Sequence, residues 1–521
     1  MAVVTNEAHR FATACVVTPH YLASHAGAAV LRDGGNAMDA AVTANLVLGV
    51  VAPYTCGIGG DCFAIVWDGD LHGYNGSGRA PAAASPSAVS ERMGAGGAAT
   101  AMPRHGPLPI TVPGAVDAWF ALLERFGTRS FARLAGPAIS YARHGYPLTA
   151  TGARRIRAGR PICDGWGAWD EIYGGAAAGV RLTQPELART LEIVAAGGPD
   201  VFYRGEIATA LAGHVQSLGG FLDADDLAAH AGQWITPLEG HYGGLAIAEL
   251  PPNSQGTAAL LALHLLDQTG PLPPDGPERH HRMIEAVVAA LAERDAHLTD
   301  PDHMRVDPRA LADPARAAMV AARPAGFRAG PAPRGSDGDT AYLCAVDGGG
   351  LCVSLIQSNY NGFGSGVTVP AYGVNLHNRG AYFSLDPEHV NVLAPGKRTL
   401  HTLMPALARR EGRPWLLFGT MGADGQLQTQ VQLLARLADD GADPAVALDA
   451  PRWVVDPATF SVRIEGRFSP AVVDGLRRFG HRLETVGAYE DPMGHAQIIR
   501  IDRDGLTAAS DPRCEGLAAG F

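Results

Sequence analysis

The sequence changes character abruptly between residues 323 and 338, and this break most constrains how the chain can fold. The stretch RPAGFRAGPAPRGSDG is rich in Pro, Gly and Arg and has neither helical nor strand periodicity. Such a stretch predicts a flexible, exposed linker. Immediately after it, residues 340–346 and 351–358 predict two strands joined by a turn at Asp347-Gly348-Gly349-Gly350. We therefore expect a boundary at the linker, with a mostly helical part before it.

The composition indicates a large globular chain with an acidic charge balance. Hydrophobic residues make up 47% and charged residues 18% of 521 residues, which supplies ample core for two domains or one intertwined unit. The 41 Lys and Arg against 52 Asp and Glu give a net charge of −11. A chain without a basic field is not expected to bind nucleic acid or an anionic membrane.

Membrane insertion and export are not expected either. The most apolar stretch, residues 40–52, contains Thr43 and Asn45 and is shorter than the roughly 20 residues of a membrane span. The first ten residues lack the basic and apolar regions of a signal peptide, so we expect a cytoplasmic protein. The seven cysteines are odd in number and scattered, which predicts reduced, mostly buried thiols.

Local patterns predict several individual elements. These are a helix from Ala23 that ends at Gly34-Gly35, a second helix capped by Asn36, a hairpin with strands over 62–67 and 71–74, a helix that contains Trp119 to Phe126, and a hairpin from 495 that turns at 503–505. Thr183 and Glu186, with Pro185 between them, have the spacing of a capping box at the start of a further helix.

The usual catalytic and cofactor signatures are absent from the sequence. No Ser lies in a G-x-S-x-G elbow, and there is neither a phosphate-binding P-loop nor an H-E-x-x-H zinc motif. The glycines at 57–60 and 362–366 bring backbone close to a neighbour but form no dinucleotide fingerprint. One group of histidines lies near acids and could bind a metal, but no ligand spacing repeats, so solvated charges at a helix end are the preferred interpretation: His280, His281, His297 and His303 with Asp295, Asp300 and Asp302.

Thr340 is the remaining candidate for catalysis. It opens a strand directly after the linker, where cleavage would expose a new N-terminus. Its free α-amine could then act as the base for its own hydroxyl, as in N-terminal threonine hydrolases. Many strands also begin with Thr for structural reasons, and the pattern alone leaves both interpretations open.

Six blocks along the chain resemble the γ-glutamyltransferase family, in the family's order. They are GGNAMDAAVTANLVLGVVAPYTCGIGGD at 34–61, LPITVPGAVDAW at 108–119, GDTAYLCAVD at 338–347, NYNGFGSG at 359–366, APGKRTLHTLMP at 394–405 and ALDAPRW at 447–453. The resemblance implies an α/β N-terminal nucleophile hydrolase fold, a four-layer αββα sandwich. It also implies cleavage between Asp339 and Thr340, which gives a large subunit of residues 1–339 and a small subunit of residues 340–521 that form one intertwined unit.

The resemblance assigns roles to individual residues. Thr340 matches the nucleophile, and Ser358 matches a hydroxyl that hydrogen-bonds the nucleophile's amine. Gly422 and Ala423 match the pair whose N–H groups form the oxyanion hole. Arg79, in GSGRAP, matches the arginine that binds the substrate's α-carboxylate, a role suited to a bidentate guanidinium.

The sequence departs from the family pattern around the substrate's amine. Tyr360 replaces an Asn near the nucleophile, and Arg379 and Tyr382 replace the Gln and Asp that hold the α-ammonium. His401-Thr402 replaces a pair of Ser, and Thr340 is followed by Ala and Tyr instead of Thr and His. The carboxylate contact is kept and the ammonium contact is lost, which is similar to the oxamate amidohydrolase-like branch.

We therefore expect a self-processing threonine amidohydrolase that acts on a small carboxylate-bearing amide and needs neither a metal nor an organic cofactor. The two fragments are expected to stay associated, and the resemblance leaves open a homodimer of these heterodimers. The alternatives are a true γ-glutamyltransferase or glutathione hydrolase, a family member recruited to secondary metabolism that cleaves a C–C bond, and an uncleaved, non-catalytic binding protein.

Overall fold

A computed structural model of the chain describes residues 7–94, 99, 101–322 and 338–521, so the predicted linker lies outside the described residues except for Gly338. The helices are α1 (Tyr21–Arg32), α2 (Ala37–Val51), α3 (Pro86–Arg92), α4 (Ala115–Phe126), α5 (Phe131–His144), α6 (Ala150–Cys163), α7 (Trp169–Tyr173), α8 (Pro185–Gly197), α9 (Asp200–Tyr203), α10 (Glu206–Ser217), α11 (Ala224–Ala228), α12 (Gly256–Gln268), α13 (Pro277–His297), α14 (Pro308–Leu311), α15 (Pro314–Ala321), α16 (Gly425–Leu434), α17 (Pro444–Asp449) and α18 (Pro470–Arg478).

The strands are β1 (His9–Phe11), β2 (Cys15–Thr18), β3 (Asp61–Trp67), β4 (Leu71–Asn75), β5 (Tyr146–Pro147), β6 (Arg181–Leu182), β7 (Gln233–Ile235), β8 (Leu238–Tyr242), β9 (Leu245–Glu249), β10 (Asp339–Val346), β11 (Cys352–Tyr360), β12 (Thr368–Val369), β13 (Val374–Asn375), β14 (Ala406–Arg410), β15 (Arg413–Thr420), β16 (Trp453–Val455), β17 (Val462–Glu465), β18 (Leu483–Val486), β19 (Ala496–Asp502), β20 (Gly505–Ser510) and β21 (Leu517–Gly520).

Two seven-stranded antiparallel sheets form the centre of the molecule. Sheet I has the strand order β21-β2-β10-β11-β3-β4-β7, and sheet II has the order β1-β20-β19-β15-β14-β9-β8. Each sheet combines strands from before and after residue 340. The two parts of the chain are therefore intertwined rather than separate domains.

Successive side chains of a strand point to opposite faces of its sheet, so one strand can contribute side chains to two different cores. On β10, Tyr342, Cys344 and Val346 join the core between the two sheets. Ala341, Leu343 and Ala345 pack in the core beneath helices that include α1, α2, α4 and α5. A further core joins the outer face of sheet II to α12, α13 and α16. This is the four-layer αββα sandwich predicted from the sequence.

Most of the predicted local elements are confirmed. Asn36 caps α2 in a reciprocal capping box with Asp39, and β3 and β4 form the predicted hairpin. The capping box at Thr183 is wrong, because α8 begins at Pro185 and Gln184 occupies the N-cap position. The Gln184 side chain instead donates to the carbonyl of Val50 and accepts from the Tyr173 hydroxyl, so tertiary contacts set the start of this helix.

The cysteines and the apolar helices agree with the sequence predictions. All seven cysteines are free thiols, and six of them are buried. Within the described ranges, no helix combines the length and the apolar character that crossing a membrane requires.

Candidate active site

Thr340 lies near the start of β10 in the middle of sheet I, and its side chain is only 4% exposed. Its Oγ1 donates a hydrogen bond to the Ser358 Oγ at 2.9 Å. The Ser358 hydroxyl in turn donates to the carbonyl oxygen of Asp339 at 2.8 Å. A chain of two hydrogen bonds therefore joins the Thr340 hydroxyl to the peptide bond that precedes it.

An irregularity in strand pairing produces this arrangement. Asp339 pairs with Tyr360 but Ala341 pairs with Gln357, so β11 carries one extra residue opposite Thr340. A bulge of this kind redirects side chains from their regular positions. Here it leaves the Ser358 Oγ between Thr340 and the carbonyl of Asp339, where it also accepts from the N–H of Tyr360 at 2.7 Å.

Gly422 and Ala423 connect β15 to α16 with an unusual backbone. Their φ angles are 125° and 47°, a region that favours glycine and is uncommon for alanine. Their amide N–H groups donate no hydrogen bond to any other residue in the described part of the chain. Two free donors at the start of a ten-residue helix suit an oxyanion.

The uncut chain lies directly over this turn. A Cβ placed on Gly338 would come within 2.7 Å of the Ala423 Cβ and 3.3 Å of the Tyr360 carbonyl oxygen. Gly338 and Asp339 also line a cavity of about 490 Å³ together with Tyr54, Arg155, Gly422 and Asp424. The segment that precedes Thr340 thus covers the approach to the Gly422-Ala423 turn.

Arg155 of α6 holds the side chain of Asp339 in place. Its Nη1 lies 2.8 Å from a carboxylate oxygen of Asp339, and its Nη2 lies 2.7 Å from Asp491. Burial raises the pKa of Asp339, while the attraction of Arg155 opposes that shift. The residue before Thr340 is therefore fixed on its side chain as well as on its carbonyl oxygen.

Tyr382 lies in a buried polar network rather than facing open space. Its hydroxyl donates to Asp424 at 2.5 Å, and Arg294 binds the same carboxylate oxygen at 2.6 Å. Burial raises the pKa of Tyr382 well above its usual value, which keeps this hydroxyl protonated and able to donate. Both partners bind Oδ1 of Asp424, so its negative charge is balanced by Arg294, while its Oδ2 is buried without a hydrogen-bond partner.

Arg379 and Tyr360 form a stacked pair next to this network. The Arg379 Cζ lies 4.2 Å from the centre of the Tyr360 ring, and the Tyr360 and Tyr382 rings are 5.9 Å apart. Arg379 Nη1 donates to the Thr402 Oγ1 at 3.2 Å. Three of the positions where the sequence departs from the family pattern are thus in contact with one another, and Thr402 joins them.

His401 supports the strands instead of joining that group. Its Nε2 lies 2.9 Å from Asp61, and its Nδ1 accepts from the N–H of Leu403. Burial, together with the nearby charge of Arg379, lowers the pKa of His401 to about 3, so the ring is neutral and donates to Asp61 through Nε2. His377 contacts the same carboxylate at 3.3 Å.

Arg79, like His401, is a predicted substrate residue that the structure does not bring to the group of Tyr360, Arg379, Tyr382 and Thr402. Its guanidinium binds Asp300 at 3.2 Å, the carbonyl of Gly396 at 2.9 Å and Asp302 at 3.6 Å. Its side chain is 37% exposed. The charge of Arg79 is therefore already balanced by two carboxylates, the buried Asp300 and the exposed Asp302.

The comparisons with known proteins fit this geometry. The sequence model of the family described as gamma-glutamyltranspeptidase matches residues 23–521. The chain belongs to this family. The glutathione hydrolase-like YwrD proenzyme of Bacillus subtilis is 40% identical over 524 residues, which cover 97% of this chain and 98% of that protein.

Two further similarities come from a curated relative and a solved structure. The oxamate amidohydrolase proenzyme of Klebsiella pneumoniae is 37% identical over 534 residues, covering 97% of this chain and 98% of its own. The crystal structure of a cephalosporin acylase from Bacillus halodurans has a TM-score of 0.92 at 36% identity and covers 99% of this chain and 97% of its own.

The histidine and acid cluster suggested by the sequence does not form within this family fold. His280 binds Asp275 and Trp453, His297 lies near Glu293, and His303 lies 3.9 Å from Asp300. Among the described residues, a different group, His281, Glu285 and His481, has its potential ligand atoms within 4.8 Å of one another. It lies between α13 and the start of β18, away from the Thr340 group.

Sequence reasoning missed the buried charges that organise the site. Asp61, Arg294 and Asp424 were not selected, although each hydrogen-bonds a predicted site residue or the residue next to one. Asp424 directly follows the Gly422-Ala423 pair, and Asp61 ends the first block of family resemblance. Charged residues are seldom buried, so a charged residue within a mostly apolar motif was the sequence feature that could have identified such a position.

Proposed function

We propose that the chain is made as a precursor that cuts itself between Asp339 and Thr340 and then hydrolyses small carboxylate-bearing amides with Thr340 as the nucleophile. The hydrogen-bonded chain from Thr340 through Ser358 to the Asp339 carbonyl is the observation that carries this proposal. Relatives named as proenzymes, one of them an oxamate amidohydrolase, support it.

The same contacts suggest how self-cleavage would proceed. The Thr340 Oγ1 attacks the carbonyl carbon of Asp339, and its proton passes through the Ser358 hydroxyl to the departing amide nitrogen. The C–N bond then breaks and leaves an ester between Asp339 and the Thr340 Oγ1. This break already frees the α-amine of Thr340, and water then hydrolyses the ester to give a carboxylate at Asp339 and the regenerated Thr340 hydroxyl.

Turnover would reuse the freed hydroxyl on an amide substrate. The α-amine of Thr340 takes the hydroxyl proton while Oγ1 attacks the substrate carbonyl, and the N–H groups of Gly422 and Ala423 stabilise the oxyanion. The amine product leaves with that proton, and water releases the acid from the acyl-enzyme. This sequence of steps uses no metal or organic cofactor. The large and small fragments would stay associated throughout, and the proposal extends to a homodimer of these pairs.

The substrate class follows from the charges around Tyr382 and Arg379. An α-ammonium placed there would meet a buried guanidinium and an aspartate already held by Arg294 and Tyr382. An acid amide without an amine, of the oxamate or glutaryl type, avoids this repulsion. The alternatives are glutathione hydrolysis, a C–C hydrolase role in secondary metabolism and an uncleaved binding protein; the following measurements test the first and the last of them.

The first prediction is that purified protein consists of two fragments, residues 1–339 and 340–521. Thr340→Ala should remain a single chain because the attacking hydroxyl is gone, and Thr340→Ser should cut slowly. Intact mass spectrometry after prolonged incubation measures all three. A wild-type protein that stays whole would favour the non-catalytic binding protein.

The second prediction concerns the substrate's amine. Processed enzyme should hydrolyse a glutaryl anilide at least as well as the γ-glutamyl anilide, because a desolvated ammonium without a partner typically costs about 1 kcal/mol or more. Side-by-side kcat/KM values on one preparation provide the measurement, with oxamate as a shorter acid amide. If the γ-glutamyl compound wins by more than about tenfold, roughly 1.4 kcal/mol, glutathione hydrolysis becomes the leading function.

A further inference from the structure

Arg379 is a buried charge without a counter-ion. Only 1% of its surface is exposed, and no carboxylate of the described residues lies within 4 Å of its guanidinium. Nη1 binds Thr402, while Nε and Nη2 have no hydrogen-bond partner. Burial accordingly lowers the pKa of Arg379. A buried, unpaired guanidinium is costly, so a protein that keeps one generally supplies it with an anion.

The acids closest to Arg379 are bound to other residues. Asp61 is held by His377 and His401, and Asp424 is held by Arg294 and Tyr382. Neither carboxylate can turn to Arg379 without leaving another buried charge or donor unpaired. The missing anion must therefore come from outside the described residues.

The two unpaired nitrogens have the geometry of a carboxylate site. Nε and Nη2 share one edge of the planar guanidinium, and their parallel N–H bonds match the two oxygens of a carboxylate. Thr402 on Nη1 and the Tyr360 ring against the guanidinium face hold this edge in a fixed direction. Fixed donors lose little side-chain freedom on binding, which favours a bidentate contact.

Tyr360 contacts both the Arg379 guanidinium and the hydrogen-bonded group that contains Thr340. Its backbone N–H donates to the Ser358 Oγ, which contacts the Thr340 hydroxyl, while its ring stacks on Arg379. In the uncut chain Gly338 lies against the Tyr360 carbonyl and Ala423. Cleavage after Asp339 would release Gly338 from Ala423 and from the Tyr360 carbonyl, next to the ring that stacks on Arg379.

We propose that Arg379, rather than Arg79, binds the carboxylate of the substrate through Nε and Nη2. This inference rests on the proposed function and identifies the residue that selects its substrate class. Arg79 is the natural competitor for the role, but its guanidinium is shared between Asp300, Asp302 and the Gly396 carbonyl. A variant of Arg79 can therefore serve as the control for variants of Arg379.

The experiment compares two anilides of equal carbon number on processed enzyme: glutaryl p-nitroanilide, which carries a carboxylate, and pentanoyl p-nitroanilide, which does not. Arg379→Gln should lose about 30-fold or more in kcat/KM on the glutaryl compound, as expected when one partner of a buried charge pair is removed. Its activity on the pentanoyl compound should change far less. Arg379→Lys should recover part of the loss, and Arg79→Ala should retain the preference for the carboxylate.

A selective loss in Arg79→Ala, or an equal loss on both anilides in Arg379→Gln, would overturn the inference. Self-cleavage of each variant reports whether it folds. A crystal structure of processed wild-type enzyme with glutarate provides an independent measurement, in which both oxygens of one carboxylate should lie within hydrogen-bond distance of Nε and Nη2. If wild type hydrolyses neither anilide nor oxamate, the proposed function fails, and the position of glutarate still decides the role of Arg379.

Discussion

At the scale of single residues, the geometry of the site depends on buried charged side chains that are paired with an opposite charge. Arg155 shows the usual case, because its guanidinium is only 9% exposed and is shared between Asp339 and Asp491. On the same helix, Arg160 is 61% exposed and pairs with an exposed Asp170. Buried pairs fix geometry strongly, whereas exposed pairs contribute little. Substitution of Arg155 therefore tests whether a buried ion pair positions Asp339. Substitution of Arg160 tests the effect of removing a surface charge from the same helix.

The third prediction is that Arg155→Ala slows self-cleavage by about tenfold or more, equivalent to roughly 1.4 kcal/mol of lost positioning. The half-buried Asp339 side chain would lose its cationic partner, so the carbonyl of the proposed scissile bond would no longer be held against Ser358. Pulse-chase electrophoresis of newly made chains gives the rate. The matched control Arg160→Ala should cut at the wild-type rate, and equal slowing in both variants would contradict a positioning role for Arg155.

At the scale of elements, the β10–β11 hairpin and the turn before β3 must approach each other closely. A Cβ on Gly60 would lie 2.5 Å from the Ser358 carbonyl oxygen and 2.6 Å from the Asn359 Oδ1. The carbonyl of Gly60 also accepts from the N–H groups of Gly114 and Ala115 at the start of α4. The glycine-rich run that predicted close backbone contact from the sequence therefore packs against the β10–β11 hairpin, which carries Thr340.

The fourth prediction is that Gly60→Ala impairs self-cleavage and lowers the free energy of unfolding by about 1–3 kcal/mol, the usual cost of an overpacked core. The added methyl group would push Ser358 away from Thr340. Thermal denaturation and fragment analysis measure the two effects. Gly213→Ala is the control, because this glycine lies in α10 with nothing within 4 Å of an added Cβ. It should cut normally and gain slightly in stability.

At the scale of the whole molecule, the proposed cleavage point between Asp339 and Thr340 lies between two parts of the chain that share one core. β10 pairs with β2 on one side, β11 pairs with β3 on the other, and β14 pairs with β9 in the second sheet. The core between the sheets contains residues from both parts of the chain. Separating the fragments would expose the apolar faces of both sheets to water, which the hydrophobic effect opposes.

The fifth prediction is that the two fragments elute together from a size-exclusion column after complete processing and separate only in denaturant. A column run with and without denaturant, followed by mass analysis of each peak, provides the measurement. Fragments that separate under native conditions would contradict the shared core. The apparent mass under native conditions also reports whether two such pairs associate.

The amino-acid sequence alone predicted much of this protein. Helix caps and turns are local, so the pattern around Asn36, Gly34-Gly35 and residues 68–70 was sufficient for α1, α2 and the β3–β4 hairpin. The motif order along the chain predicted the family, the four-layer fold and Thr340 as the candidate nucleophile. These features depend on residue type and spacing, which the sequence contains directly.

Only the tertiary structure decided which charges meet. Gln184 rather than Thr183 precedes α8 because its amide reaches Val50, far away in the sequence. Arg79 and Arg379 are equally plausible carboxylate-binding residues by type, but folding pairs one with Asp300 and leaves the other buried and unpaired. Contacts between distant segments determine burial and pairing, and these in turn determine whether a charge is available to a ligand.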